Sequence, residues 1–370
     1  MKALSLYAGP AAREHIRQHG LLPQHIHTIP AAAGGPKGLI LGALDRYIFG
    51  PWLAQSQQPV DLVGASIGAW RMATACLQNP VAAFERLEHD YIRQHYEFRP
   101  GNKLPPAERV SAEFAHSLRR FFGGREREVL QHARYRLHII TSRGRHLLGR
   151  EHGLRTPLGY LGAFLTNSVQ RKAMGAWLER VVFSTADAAQ ADGRCAPLPF
   201  ATGDYRTRQL PLTAPNFYPA LQASCSIPFA LQAVHDIPGA PAGAYWDGGI
   251  TDYHLHLNYA AAPDAAQRPG LVLYPHFQRA VVPGWLDKAL RWRHGATHYL
   301  DNMLLLAPDP DWIKTLPHGK LPDRQDFTHY GNDWRGRMQA WSQAVQMSRQ
   351  LAEEFQAWLA QPDLRQVQAL

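Results

Sequence analysis

Along the first half of the chain, short apolar runs take turns with amphipathic stretches. Residues 2–7 (KALSLY), 25–31 (HIHTIPA) and 60–65 (VDLVGA) are short and apolar, which predicts strands. Between them, residues 10–19 (opened by Pro10), 37–49 and 67–77 carry helical periodicity. Strands alternating with helices of this length predict an α/β fold on a mostly parallel sheet covered on both faces. Further strands are predicted at 136–141, 180–184, 271–274 and 302–306, and helices at 105–130 and 158–178. Residues 195–215, rich in Pro, Thr and Gly, predict an edge hairpin. Near the C-terminus, Trp334, Met338, Trp341, Val345, Ala352, Phe355 and Leu359 share one face and predict an amphipathic helix packed on the body. No repeat, low-complexity tract or linker divides the chain, so one domain with a C-terminal helical extension is expected.

Composition narrows this picture. At 370 residues and 45% hydrophobic content the chain can bury a sizeable core, yet no stretch has the roughly 18 to 20 uninterrupted apolar residues of a membrane span. The first residues, MKALSLYAGPAAREH, hold too short an apolar run for a secretory signal, so a cytoplasmic protein is expected. Cys76, Cys195 and Cys225 are odd in number and widely spaced, which argues against a disulfide framework or a cysteine zinc site. Lys and Arg outnumber Asp and Glu by 39 to 30, and about +8 of the net +9 lies between residues 91 and 150. No recognition helix, zinc finger or RNP-like pattern accompanies that charge, so no nucleic-acid partner is expected and a solvated face accounts for it. A second basic segment, residues 282–294 (VPGWLDKALRWRH), combines Trp285, Leu286, Ala289 and Trp292 with Lys288, Arg291 and Arg293. That pattern suits a short helix lying on an anionic membrane surface or, more simply, one packed on the body with its cations snorkelling out.

The chemistry concentrates at three turns. Gly64-Ala65-Ser66-Ile67-Gly68 is a G-x-S-x-G where a predicted strand becomes a predicted helix. A Ser in such a turn stands clear of the sheet at a helix N-terminus, where the dipole favours developing negative charge, and Gly64 and Gly68 keep the turn tight. Gly34 and Gly35, about 30 residues earlier, end the neighbouring strand, so in a parallel sheet both turns meet on one rim. Their amides suit an oxyanion hole. The stretch AAAGGPKGL fits neither nucleotide loop: Lys37 precedes Gly38 with no Ser or Thr following, and Ala33 breaks a G-x-G-x-x-G. For a base, Asp247 is followed by Gly248 and Gly249, which let the chain turn sharply, and Trp246 beside it suits a pocket whose burial would raise the carboxyl pKa. His254, His256 and His276 remain candidates for a triad, and Asp252 is a rival to Asp247.

In order and spacing, GGPKG, GASIG, ASCSIP (Ala223 to Pro228) and DGG resemble the patatin-like phospholipase family over about residues 25 to 255. That family combines a G-G-x-[KR]-G loop, a G-x-S-x-G elbow, an A-S-x-x-I-P segment and a D-G-[GA] motif. The resemblance implies a three-layer α/β/α sandwich, a hydrolase domain over 25–275 preceded by a strand–helix extension (1–24) and followed by an extension (276–370) packed on the same domain. It further implies a Ser66–Asp247 dyad that hydrolyses acyl esters of lipids without a cofactor or metal, with Gly34 and Gly35 as oxyanion donors. Lys37 and Gly38 would support the loop or meet a phosphate, and Gly248 and Gly249 would shape the base. Ala32 and Ala33 stand where the family usually has Asp and a further Gly, and ITDYHLHLNY follows the DGG where it tends toward Asn and Pro. A lipid substrate and peripheral contact with an anionic membrane are the expected partners. An esterase, thioesterase or polyester depolymerase acting away from membranes, and a non-catalytic lipid-binding relative, are the alternatives.

Overall fold

Eleven strands hydrogen-bond into one sheet in the computed structural model, which describes residues 1–95, 105–187, 193–262 and 270–370. They are β1 (Leu4–Ala8), β2 (Ile26–Ala31), β3 (Val60–Ala65), β4 (Tyr135–Gly144), β5 (Leu178–Ser184), β6 (Thr207–Pro211), β7 (Val234–His235), β8 (Ala244–Asp247), β9 (Leu271–Pro275), β10 (Met303–Pro308) and β11 (Val367–Ala369). The order is β11-β1-β10-β9-β2-β3-β4-β5-β6, with β8 against β4 and β7 against β8. The central strands β10, β9, β2, β3 and β4 run parallel, and each flank is reversed: β1 is antiparallel to β10, and β5 to β4. The central strands β2, β3, β9 and β10 are buried except for half-buried His27 in β2, as a sheet covered on both faces requires. On one face, the helix Ile67–Ala75 packs so closely that a Cβ on Gly64 would lie 2.4 Å from Ala69. The other face carries the Pro10–His19 helix and the chain near Pro199 and Tyr259, which together wall a cavity over Thr28 and Asp61. The fold is an α/β sandwich with a mostly parallel central sheet.

The strand positions follow the sequence pattern closely, and the differences have local causes. Residues 1–24 supply β1, which lies inside the sheet between β11 and β10. The predicted helix at 37–49 is composite: a tight 3₁₀ run, Gly35–Leu41, precedes the α-turn Gly42–Tyr47, because Gly35, Pro36 and Gly38 are poor α-formers. The basic helix at 105–130 divides at Gly123–Gly124 into Ala107–Phe122 and Glu126–Leu130, Gly124 being left-handed (φ 77°); residues 96–104 of that basic stretch lie outside the described residues. The helix expected at 158–178 is Arg155–Val169, ended by extended Gln170, so that Leu178 already belongs to β5. The expected hairpin at 195–215 is absent: β6 runs parallel to β5 instead. The C-terminal helix breaks at Ser348, whose hydroxyl turns back to the Val345 carbonyl, into Trp334–Met347 and Arg349–Ala360.

The amphipathic helix expected at 282–294 does not form. Two short 3₁₀ turns, Trp285–Asp287 and Arg291–Arg293, stand in its place. Asp287 is the reason. Its carboxylate is fully buried and accepts from Asn167, Arg171 and Arg293, which pins the segment to the Arg155–Val169 helix rather than leaving it regular.

Candidate active site

The sheet itself brings the Ser and the Asp together. Strand β3 pairs with the first half of β4 and ends at Ala65 opposite Ile140. At the next position of β4, Thr141, the partner is Asp247, the last residue of β8, which runs antiparallel to β4. The carboxyl ends of β3 and β8 therefore abut on one edge of β4. Ser66 leaves β3 at φ 57° and ψ −131° to start the Ile67–Ala75 helix, a backbone conformation costly for any residue with a Cβ. Its Oγ donates a 2.7 Å hydrogen bond to Asp247 Oδ2. Around this turn Cβ atoms are excluded: one on Gly68 would lie 1.8 Å from the Ala31 carbonyl oxygen, and one on Gly248 2.1 Å from that of Ile140.

Two further serines fix the pair. The Ser66 amide donates to Ser224 Oγ (2.9 Å), which in turn donates to the Ile140 carbonyl (2.7 Å). Ser142 Oγ donates to the Asp247 carbonyl at 2.9 Å. Ser224 lies in the ASCSIP segment, so the sequence marks its neighbourhood but not its contact. Ser142 is a strand residue with no signal in the sequence.

Asp247 is buried, and its other oxygen, Oδ1, accepts from the Gly249 amide at 2.7 Å. Burial raises its pKa above the ordinary carboxylate value, against the opposing pull of Arg324, the Ser66 hydroxyl, the Gly249 amide and Lys288. With only neutral donors in contact, the carboxylate keeps basicity that a close ion pair would remove.

A cavity of about 210 Å³ opens over Asp247 and Gly249, lined also by Gly34, Lys37, Ile227, Trp285, Lys288 and Arg324. Gly34 is extended, and a Cβ there would strike the Phe277 ring at 2.5 Å; Gly35 is left-handed (φ 56°) beneath Arg324. Because Gly35 opens the 3₁₀ run, its amide and that of Gly34 have no partner within that run, and Pro36 has no N–H. Gly38 is different: a methyl group there would meet Arg71 and Ile67 only at 3.6 Å, an ordinary contact.

Three cations ring this cavity. The Lys37 ammonium lies 5.3 Å from the centroid of the Phe277 ring, and burial lowers its pKa. Lys288 stands at the rim with its ammonium 4.1 Å from the centroid of the Tyr253 ring. Desolvation, then the charges of Arg324 and Lys37, bring its pKa down to about 8. Among the described residues none of the three has a carboxylate within ion-pair distance. Arg324 sits in a loop of the C-terminal region, where no motif points to it.

The histidine candidates are placed elsewhere. His256 is held by the Val281 carbonyl and Thr297, at 2.8 and 2.9 Å. His254 is fixed by the Ala280 carbonyl and the Val282 amide, and its ring stands 4.5 Å from that of His276, which contacts the Gln278 carbonyl. Burial pushes the His254 pKa well down and that of His276 to about 3, so both are neutral. The Ser66 hydroxyl donates to Asp247, and among the described residues none of these histidines is bonded to it. Asp252 is fully buried and taken up by the Arg180 guanidinium, at 2.6 and 2.7 Å. Among the described residues no helix is long and apolar enough to cross a membrane. No protein-family model matches the chain, and a search of curated proteins finds no match.

Proposed function

We propose that this chain is a serine acyl hydrolase of the patatin-like type, cleaving ester bonds of lipids through Ser66 and Asp247. The observation that carries this reading is the 2.7 Å bond from Ser66 Oγ to a buried carboxylate whose other hydrogen bond, among the described residues, comes from the neutral backbone amide of Gly249. As Ser66 Oγ attacks an ester carbonyl, Asp247 takes its proton, and the tetrahedral oxyanion falls to the amides of Gly34 and Gly35. The alcohol leaves with that proton. A water then gives its proton to Asp247 and attacks the acyl-enzyme, and Asp247 returns that proton to Ser66 Oγ as the acid leaves. Lys37, Lys288 and Arg324 favour an ester whose alcohol portion carries negative charge, as in a phospholipid, since among the described residues none of the three is in ion-pair contact and Asp323 of the same wall is held by Lys320.

The small cavity supports a second reading. At about 210 Å³ it lies below the roughly 300 Å³ at which small-molecule pockets usually begin, which favours compact acyl groups and an esterase working away from lipid. One experiment separates these. A fluorophosphonate probe should label the intact protein and not Ser66→Ala, and p-nitrophenyl esters of increasing chain length then rank lipid against compact substrates. Equal labelling of both proteins would remove the hydrolase reading altogether.

A further inference from the structure

Large apolar side chains in solvent are concentrated in one place on this molecule. Among the described residues eleven are exposed, and five of them, Leu154, Leu158, Leu161, Leu165 and Val169, belong to the Arg155–Val169 helix and its N-cap. Each is between 54% and 86% exposed. At 3.6 residues per turn they fall within an arc of about 80°, a stripe about 22 Å long on the outer face of the helix. The opposite face, with Tyr160, Ala163 and Asn167, is buried. Such a stripe is not explained by folding, because it stays in water after the chain has folded.

The helix reaches the wall of the active-site cavity through its buried face. Tyr160 packs edge-on against Trp246, the residue before Asp247, and against Phe229. Phe229 is itself 59% exposed, with a left-handed backbone (φ 68°) that few side chains tolerate, and it directly follows Ile227 and Pro228 of the cavity wall. Trp292, also exposed, is carried beside the helix C-terminus by Arg293, which bonds Asn167 and the Ser168 carbonyl.

Charge decides the occupant. The helix contains no Asp or Glu, while exposed Arg155 stands at its start, and exposed Lys172 and Arg291 near its end. A second copy laid along the stripe would set these cations against one another. We infer that the Leu154–Val169 face, with Phe229 and Trp292, docks on an anionic lipid layer, its leucines entering the acyl boundary and Arg155, Lys172 and Arg291 meeting headgroups. Docking there holds the cavity wall, through Phe229 beside Ile227 and Pro228, close to the layer that carries the ester. Residues 282–294, whose sequence pattern suits either a membrane surface or packing on the body, contribute Trp292 and Arg291 to this face. The inference rests on the lipid-hydrolase reading, whose substrate it delivers.

Co-sedimentation of the full chain with vesicles tests it. Vesicles of phosphatidylcholine and phosphatidylglycerol in equal parts should pellet the protein, and pure phosphatidylcholine about tenfold less of it, with binding weakened by salt. Leu161→Asp with Leu165→Asp should reduce pelleting about tenfold or more, and Arg155→Glu with Arg291→Glu should act in the same direction, while both variants hydrolyse a soluble short-chain ester as the parent does. Equal pelleting of parent and Leu161→Asp/Leu165→Asp overturns the inference. So does a dimer in light scattering that this variant dissolves while the parent ignores vesicles. If parent and Ser66→Ala both pellet yet neither cleaves any ester, the docking face stands and the hydrolase reading falls. If ester is cleaved but vesicles are ignored, the hydrolase stands and the docking face falls.

Discussion

Asp247 and Asp252 are five residues apart, both buried, and treated by the fold in opposite ways. Asp252 receives the full fork of Arg180, at 2.6 and 2.7 Å, with Arg171 nearby at 3.4 Å. Asp247 receives a serine hydroxyl and one glycine amide, and its cations stand back across the cavity. A buried carboxylate matched by a guanidinium in contact is a structural joint, because removing either partner strands a charge. A buried carboxylate given only neutral donors retains affinity for a proton, which is what a base needs. The two therefore separate stability from chemistry within one loop.

The sharpest way to break this comparison is to neutralise each in turn. Asp247→Asn should lower kcat on a p-nitrophenyl ester about 10³-fold or more, with a melting temperature as high as the parent's. Asp252→Asn should leave Arg180 half-paired and lose about 3 kcal/mol or more in urea unfolding, with fluorophosphonate labelling kept in the folded fraction. Exchanged outcomes would reverse the roles assigned here, and activity retained in Asp247→Asn but lost in His254→Ala or His256→Ala would replace the dyad with a triad.

Glycine substitutions give the next largest contrast. Gly68→Ala forces a Cβ into the Ala31 carbonyl and should abolish probe labelling, whereas Gly38→Ala has room and should change stability by no more than about 0.5 kcal/mol. Ser224→Ala removes the acceptor of the Ser66 amide, leaving that buried N–H unpaired, and should cost about 1 to 3 kcal/mol and slow acylation. The smallest effect is a change in pH profile. With Asp247 as the proposed base, activity should fall on acidification at a higher pH than for an ordinary carboxylate. Lys288 loses its charge above about pH 8, so kcat/KM for an anionic ester should fall there, and less so for a neutral ester. Lys288→Met should remove that alkaline limb; a limb that persists in the variant assigns it to another group.

Much of the fold was legible because the apolar runs at 25–31, 60–65 and 271–274 are too short and too apolar for anything but buried strands. Helix ends were less so: breaks at Gly123–Gly124 and Ser348 depend on single residues that a periodic pattern averages over. Strand β8 was missed because AYWD is four residues long and acquires its identity from β4. Residues 282–294 pack on the body but do not form the expected helix, because their amphipathic pattern said nothing of Asp287 and its bonds to Asn167 and Arg171, more than a hundred positions away.

By itself the sequence determined the local geometry of the candidate site. Glycines at 64, 68 and 248 permit turns that no Cβ allows, and their neighbours alone single out Ser66 and narrow the base to Asp247 or Asp252. Tertiary structure decided everything that needs partners distant along the chain. It put Asp247 against the Ser66 hydroxyl and Asp252 against Arg180, brought Lys288 and Arg324 to the cavity rim, and set which side of the Arg155–Val169 helix faces water. A hydrophobic stripe reads the same in sequence whether it is buried or exposed. Only packing, which covers one face of a helix and leaves the other, distinguishes a core from a docking surface.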